Sequence, residues 1–320
     1  MVSLDLLQAS PGSTGTKSIE TDTPLDGTDR DRSLDIVFLQ DTTGSQGRYI
    51  ESAKKATRGI CEKISASAGI KKELIRFGLI AFRDHPPQDN TYVMKKFGFT
   101  NDNSIMETNL KHLIASGGGD APEAQTAALA AALDMEWNDN AVKMVILITD
   151  SPPHGVEKTG DGFTESPDQN DPLDIARQMA EHGITLFVIA CEPSLSGYDN
   201  AVDFYTALTR LTNGNICPLM MANKLGDYIA GTAVETIETE KLIEEFEHII
   251  VDDVYGADVP IDKVADNLQE KLHQKGSKIK TMNIEHIYNE TAESRANINI
   301  WYSSKSIADG RRQVTLVSSV

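Results

Sequence analysis

The stretch Asp35-Ile36-Val37-Phe38-Leu39-Gln40-Asp41-Thr42-Thr43-Gly44-Ser45 decides how this chain is read. Ile36 to Leu39 is an unbroken apolar run, bounded by polar residues and without the alternation of a half-exposed strand. It predicts a parallel strand buried on both faces. The run stops at Asp41 and a Thr-Thr-Gly-Ser loop, after which Tyr49, Ile50, Ala53, Ala56, Ile60, Cys61 and Ile64 recur at helical spacing. A second run of the same kind, residues 142–149 (VKMVILIT), also stops at an aspartate, Asp150. Around these two the pattern alternates. Strands are predicted at 74–82, 92–99, 184–190 and 215–219; helices are predicted at 101–116, 124–137, 172–182 and 201–212. Asn101 or Asn103 would cap the first of these helices, and Pro122-Glu123 would open the second. Strands alternating with helices of this length predict an α/β fold: a Rossmann-like, doubly wound, mostly parallel sheet covered on both faces.

Outside this region the character changes. Residues 1–32 carry Pro, Gly, Ser, Thr and Asp with little apolar periodicity and are expected to form a disordered tail. The α/β domain then occupies 33–220. Residues 221–320 are expected to form a helical extension, with helices at 224–248 and 261–274. The alternating runs Asn297 to Tyr302 and Gln313 to Val317, around Asp309-Gly310, predict a terminal β-hairpin.

Composition narrows the functional classes. The chain has 320 residues, with 48 Asp and Glu against 30 Lys and Arg for a formal net charge of −18, which leaves no broad basic face to neutralise phosphates. Nucleic acid and anionic membrane are therefore not expected partners. No apolar stretch is long enough to span a bilayer, and the first residues lack the basic and apolar regions of a signal peptide, so a cytoplasmic location is expected. The three cysteines, Cys61, Cys191 and Cys217, are too scattered for a disulfide framework or a paired-cysteine metal site.

In a doubly wound sheet, ligands bind beyond the carboxyl ends of the strands, where the strand order reverses. Two strands here end in aspartate, and Asp41 is followed by hydroxyls at alternate positions, Thr43 and Ser45, with Gly44 permitting the turn between them. With Asp150 these residues offer an oxygen-only donor set with two carboxylates. Such a set suits Mg2+ or Mn2+, with Ca2+ also accommodated, and leaves positions for water or a partner's carboxylate.

Asp41-Thr42-Thr43-Gly44-Ser45 resembles the DxTxS form of the metal-ion-dependent adhesion site (MIDAS) of von Willebrand factor A (VWA) domains, and Ile148-Thr149-Asp150 resembles that family's last metal-binding segment. The resemblance runs from about Asp35 to Leu219. Three further segments, Ala81-Phe82-Arg83-Asp84-His85, residues 117–123 (GGGDAPE) and residues 149–155 (TDSPPHG), are similar to an intracellular fungal and protist branch, some members of which sit beside an alpha-type protein kinase domain. Many members supply a threonine ligand from the loop that is here Gly117 to Glu123. This chain offers Asp120 and Glu123 instead, with no threonine before Thr126, and Asp120 is taken as the equivalent ligand, directly or through water. Gln46 stands where many relatives carry an apolar residue, a difference expected to affect packing more than coordination. The resemblance implies a protein-binding module of the adhesion or scaffold kind, in which Asp41, Thr43, Ser45, Asp120 and Asp150 hold the cation and an Asp or Glu of a protein partner completes its shell.

The alternative is a metal-dependent hydrolase, or a phosphotransferase-associated protein, using water on the same cation with Asp84, His85 or His154 as acid or base. His154 reads more simply as an imidazole that fixes its Pro-rich loop by a hydrogen bond, and Asp84-His85 as a loop anchor. Gly117 to Gly119 lack the spacing of a phosphate-binding loop, and Asp120 would repel an anion. Asp161, Glu165, Asp168 and Asp171 do not match a calcium loop and are expected to be a solvated surface segment.

Overall fold

In the computed structural model the described residues are 33–66, 71–224, 226–231, 263, 288 and 290–315. They contain β1 (Ser33–Asp41), α1 (Ile50–Ser65), β2 (Ile75–Phe82), β3 (Met94–Thr100), α2 (Asn103–Lys111), α3 (Gln125–Leu133) and β4 (Ala141–Thr149). These are followed by α4 (Pro172–Glu181), β5 (Ile184–Ala190), α5 (Ala201–Leu211), β6 (Ile216–Pro218), α6 (Ala292–Ser303) and α7 (Ile307–Gln313). The strands form one sheet in the order β3-β2-β1-β4-β5-β6, parallel throughout except for β3, which runs antiparallel to β2 at the edge. The chain therefore winds outward from β1 through β2 to β3, then returns to β4 on the other side of β1. The reversal lies between β1 and β4, whose ends are in register at Gln40 and Ile148.

Every residue of β1 is buried, as its unbroken apolar run requires. Alternate side chains serve two separate cores. Leu34, Ile36 and Phe38 pack with Ile60 and Ile64 of α1 and Met106 and Leu110 of α2. Val37 and Leu39 face the opposite layer, with Ala128 and Leu129 of α3, Leu173 and Ala176 of α4, and Phe204 and Leu208 of α5. Each Val, Leu, Ile, Met or Phe among them contributes about 1.5–3 kcal/mol through removal of apolar surface from water.

The helix boundaries differ from the sequence expectation in informative ways. The cap of α2 is neither Asn101 nor Asn103 but Asp102, whose carboxylate accepts from the Ser104 amide at 2.8 Å. The Ala-rich helix starts at Gln125 rather than near Pro122, because Glu123 bridges in parallel to Pro153 and the Ala124 amide donates to the Arg83 carbonyl at 2.9 Å. Those bonds hold residues 122–124 against the loops after β2 and β4.

The expected terminal hairpin is corrected. Residues 297–302 lie in α6, capped by Thr291, whose hydroxyl accepts from the Ser294 amide at 3.1 Å. Burial at Ser294, Asn297, Ile298 and Trp301 follows the helical period, and the apparent alternation of Asn and Ile is incidental to it. Trp301 meets Phe204 of α5 edge to face at 5.3 Å, and Gly310 lies against the Trp301 ring instead of making a turn. Residues 222–224 and 226–231 are helical. The rest of the predicted 224–248 helix, the body of the 261–274 helix, the tail 1–32 and the end of the second alternating run lie outside the described residues.

Candidate metal centre

Asp41 closes β1 with its side chain fully buried, and the turn that follows wraps back onto it. Its Oδ1 accepts from the Thr43 amide at 3.0 Å and the Thr43 hydroxyl at 2.7 Å, while Oδ2 accepts from the Thr149 hydroxyl at 2.9 Å. Thr43 Oγ1 lies 3.2 Å from Ser45 Oγ, which donates to Asp150 Oδ1 at 2.9 Å. Four of the five expected donors are thus linked in one chain, Asp41–Thr43–Ser45–Asp150, at the strand-order reversal. Ser45 is exposed, so the cluster opens to solvent on that side.

The loop donor is placed differently. Asp120 is not part of this chain; its Oδ2 accepts from the Gly162 amide, and it stands in a cluster with Asp84 and His154. Glu123 is a loop residue whose carboxylate lies beside the Asp41 turn. A Cβ on Gly118 would sit 2.8 Å from Glu123 Oε1 and 3.4 Å from Thr43 Cβ, and the backbone there has φ of +80°. Only glycine accommodates both constraints. The Gly44 amide donates to the Gly117 carbonyl at 2.9 Å and draws the two loops together.

The electrostatics show what the centre lacks. Burial, then Asp150, pushes the Asp41 acid up to about 7. Burial, followed by Asp41, Asp84, Asp120 and Asp150, raises Glu123 to about 11, and its Oε2 is buried with no hydrogen-bond partner. Burial also raises Asp150. Among the described residues no Lys or Arg forms an ion pair with Asp41, Glu123 or Asp150. Converging buried carboxylates with an orphaned oxygen are the chemistry that a divalent cation satisfies, so the donor set fits such an ion.

Some contributors were not legible beforehand. Gln46 affects more than packing: its fully buried amide donates to Asp150 Oδ1 at 2.7 Å. Gln125 Nε2 donates to the Thr149 hydroxyl at 3.0 Å and to Ser151, so α3 orients the residue that orients Asp41. The sequence signals for Thr149 were its place at the end of β4, one residue before Asp150, and the resemblance of Ile148-Thr149-Asp150 to a metal-binding segment, neither of which reveals that its hydroxyl donates to Asp41.

The second cluster lies on the loops after β2 and β4. His154 is buried between Asp84, 2.7 Å from Nε2, and Asp161, 2.9 Å from Nδ1. Burial alone would depress this imidazole, but the hydrogen bonds to Asp161 and Asp84 outweigh it and raise His154 to about 9. Asp161 also accepts from the Gly155 amide at 2.7 Å and the Phe163 amide at 2.8 Å, so the acidic loop expected to be solvated is in part an internal brace. Asp171 likewise caps α4 and accepts from the Ile307 amide at 2.7 Å.

Residues 35–221 match the model of the von Willebrand factor type A domain. The chain is 29% identical over 124 residues to an alpha-protein kinase, vwkA, of Dictyostelium discoideum, covering 39% of this chain and 19% of that protein. It is 25% identical over 203 residues to an ariadne-like RING finger protein of Acanthamoeba polyphaga mimivirus, covering 61% of this chain and 19% of the relative. The matched region is thus about a fifth of either curated relative. Among solved structures, the pilus adhesin SpaC of Lactobacillus rhamnosus GG in its open conformation aligns with a TM-score of 0.49 at 12% identity, covering 64% of this chain and 30% of that one. Proximal thread matrix protein 1 of the mussel byssus aligns with a TM-score of 0.45 at 15% identity, covering 63% and 46%.

Proposed function

The chain belongs to the von Willebrand factor type A domain family, and from that premise we propose that it is a divalent-metal-dependent protein-binding module of the adhesion or scaffold kind, working in the cytoplasm. The observation that carries this reading is the hydrogen-bonded chain Asp41–Thr43–Ser45–Asp150, buried at its base and open at Ser45. Mg2+ or Mn2+ is the ion its hard oxygen donors favour. The bound cation supplies a positive centre to which the carboxylate of a partner's Asp or Glu adds.

The protein's own residues hold that centre in shape. Asp41 and Asp150 bring the negative charge, Thr43 and Ser45 present hydroxyl oxygens, and Thr149 and Gln46 fix the two carboxylates by donating to them. Glu123, from the loop after α2, takes the place for which Asp120 was expected, supported by its proximity to Gly118 and Thr43.

Thermal unfolding tests this. After chelation, Mg2+ or Mn2+ should raise the melting temperature of the wild type saturably, since a ligand that binds only the native state adds about 2.7 kcal/mol at 100 times its Kd. The Asp41→Ala variant should show no such rise. An immobilised acidic peptide should retain the wild type with Mg2+ and release it with chelator. Retention that ignores the metal would refute the proposed mode of binding, and turnover of a substrate at this cation would favour the hydrolytic alternative.

A further inference from the structure

The loops after β2, α2 and β4 carry a constellation that the adhesion-type centre does not use. One ligand atom from each of Asp84, Asp120 and His154 lies within 4.8 Å of the others. Asp84 is fully buried, yet its Oδ2 has no hydrogen-bond partner. Asp120 Oδ1 is buried and likewise unpartnered, and the Asp84 and Asp120 carboxyls abut one another. A fourth donor stands beside them: His85 is buried with its Nε2 unpartnered, and its ring centroid is 6.0 Å from that of His154.

Two facing carboxyls are costly unless they share a proton or a cation takes the proton's place between them; here burial, then the shared proton with Asp84, raises the Asp120 acid. When protonated, His154 supplies a single charge, shared between Asp84 and Asp161. We propose that Asp84, Asp120 and His154, with His85 alongside, form a second divalent-cation site, independent of Asp41 and Asp150, that takes a transition ion of borderline softness such as Zn2+. Two carboxylates with imidazole nitrogen suit Zn2+, whereas Mg2+ prefers oxygen alone.

The arrangement around His154 supports this assignment. On loading, Nε2 gives up its proton to solvent and takes the ion in its place, and Asp84 Oδ1, which that proton had engaged at 2.7 Å, becomes free to ligate. Nδ1–H stays bound to Asp161 at 2.9 Å, so the ring keeps its orientation. Asp161 is itself held by the Gly155 and Phe163 amides. A ligating imidazole whose other nitrogen donates to a fixed carboxylate is the usual outer-shell support of a metal histidine. Phe163 closes one side of the ring edge to face at 4.7 Å, and half-buried Asp120 marks the route from solvent.

The test is made on the full chain carrying Asp41→Ala, so that the oxygen-only centre is disabled, with Co2+ as an optical probe and Zn2+ as competitor. The expected result is one Co2+ per chain, with the intense visible bands of a low-coordinate nitrogen-containing site, displaced by Zn2+. Adding Asp120→Asn or His154→Gln should abolish that equivalent. Because His154→Gln could unfold its loop, the half-buried Asp120→Asn variant decides, with circular dichroism verifying its fold. Absence of bound Co2+ in the Asp41→Ala chain overturns the proposal, as does a folded Asp120→Asn variant that retains it. Neither outcome bears on the Asp41 centre, which is read separately from Mg2+-dependent stabilisation of the wild type.

Discussion

Ser45 Oγ donates to Asp150 Oδ1 at 2.9 Å, a hydrogen bond that joins the loops after β1 and β4 across 105 residues of sequence. It is possible because β1 and β4 are neighbours in parallel register, so both strands deliver their terminal residues to the same rim. Each carboxylate there is also held from outside the donor set, Asp41 by Thr149 and Asp150 by Gln46.

That outside support should be measurable. Thr149→Val keeps the shape of the strand end but removes the hydroxyl that donates to Asp41 Oδ2 and accepts from Gln125. Mg2+ affinity, followed by calorimetric titration, should fall about 10- to 100-fold, the usual effect of losing an outer-shell partner. Unchanged affinity would mean that Asp41 is oriented by Thr43 alone.

Gly118 should tolerate no side chain. Its φ of +80° and the 2.8 Å approach of Glu123 Oε1 to a would-be Cβ mean that Gly118→Ala strains the backbone and displaces Glu123. The strain costs about 1–3 kcal/mol in a urea unfolding curve. The same variant should also bind Mn2+ more weakly if Glu123 is the loop donor, which electron paramagnetic resonance of free Mn2+ reads directly.

Without metal, the protein should be less stable at higher pH. Folding raises Asp41 from 3.8 to about 7, so between those values the native state binds more protons than the unfolded one, and this contribution declines as pH climbs through that window. Glu123, raised from 4.5 to about 11, acts in the same sense. His154 adds stability that is complete below its ordinary value of 6.5 and gone above about 9. The melting temperature in chelator should therefore be higher at about pH 6 than at about pH 8. Asp41→Asn should reduce the difference, as should saturating Mg2+, which keeps Asp41 ionised. Equal melting temperatures in chelator would contradict the picture of uncompensated buried carboxylates.

The C-terminal helices should contribute to stability without touching the metal centre. Trp301 is fully buried against Phe204, and Asn297 donates to Asp203 at 3.1 Å and to the Thr315 carbonyl at 2.9 Å. Trp301→Ala should cost about 3–5 kcal/mol in denaturant unfolding, as large-to-small changes in a core do. Mg2+ affinity of the folded variant should equal that of the wild type; a loss would reveal coupling between α6 and the sheet rim.

The sequence by itself determined the buried strands, the alternation that makes the sheet parallel, and Asp41, Thr43, Ser45 and Asp150 as candidate donors at two strand ends, which the pairing of β1 with β4 brings to one rim. These are local properties: an apolar run of that length, stopped by aspartate and a glycine turn, has few other ways to fold. Only the tertiary structure decided what depends on how distant loops meet. Gly117 and Gly118 turn the loop at positive φ so that Glu123 approaches Thr43 while Asp120 goes to Asp84 and His154, a division that no spacing within residues 117–123 reveals. The same holds for residues 297–302, where Asn and Ile alternate as in a strand. Packing of Ile298 and Trp301 on α5 made a helix of them, because burying that face removes more apolar surface from water than a solvent-exposed hairpin would.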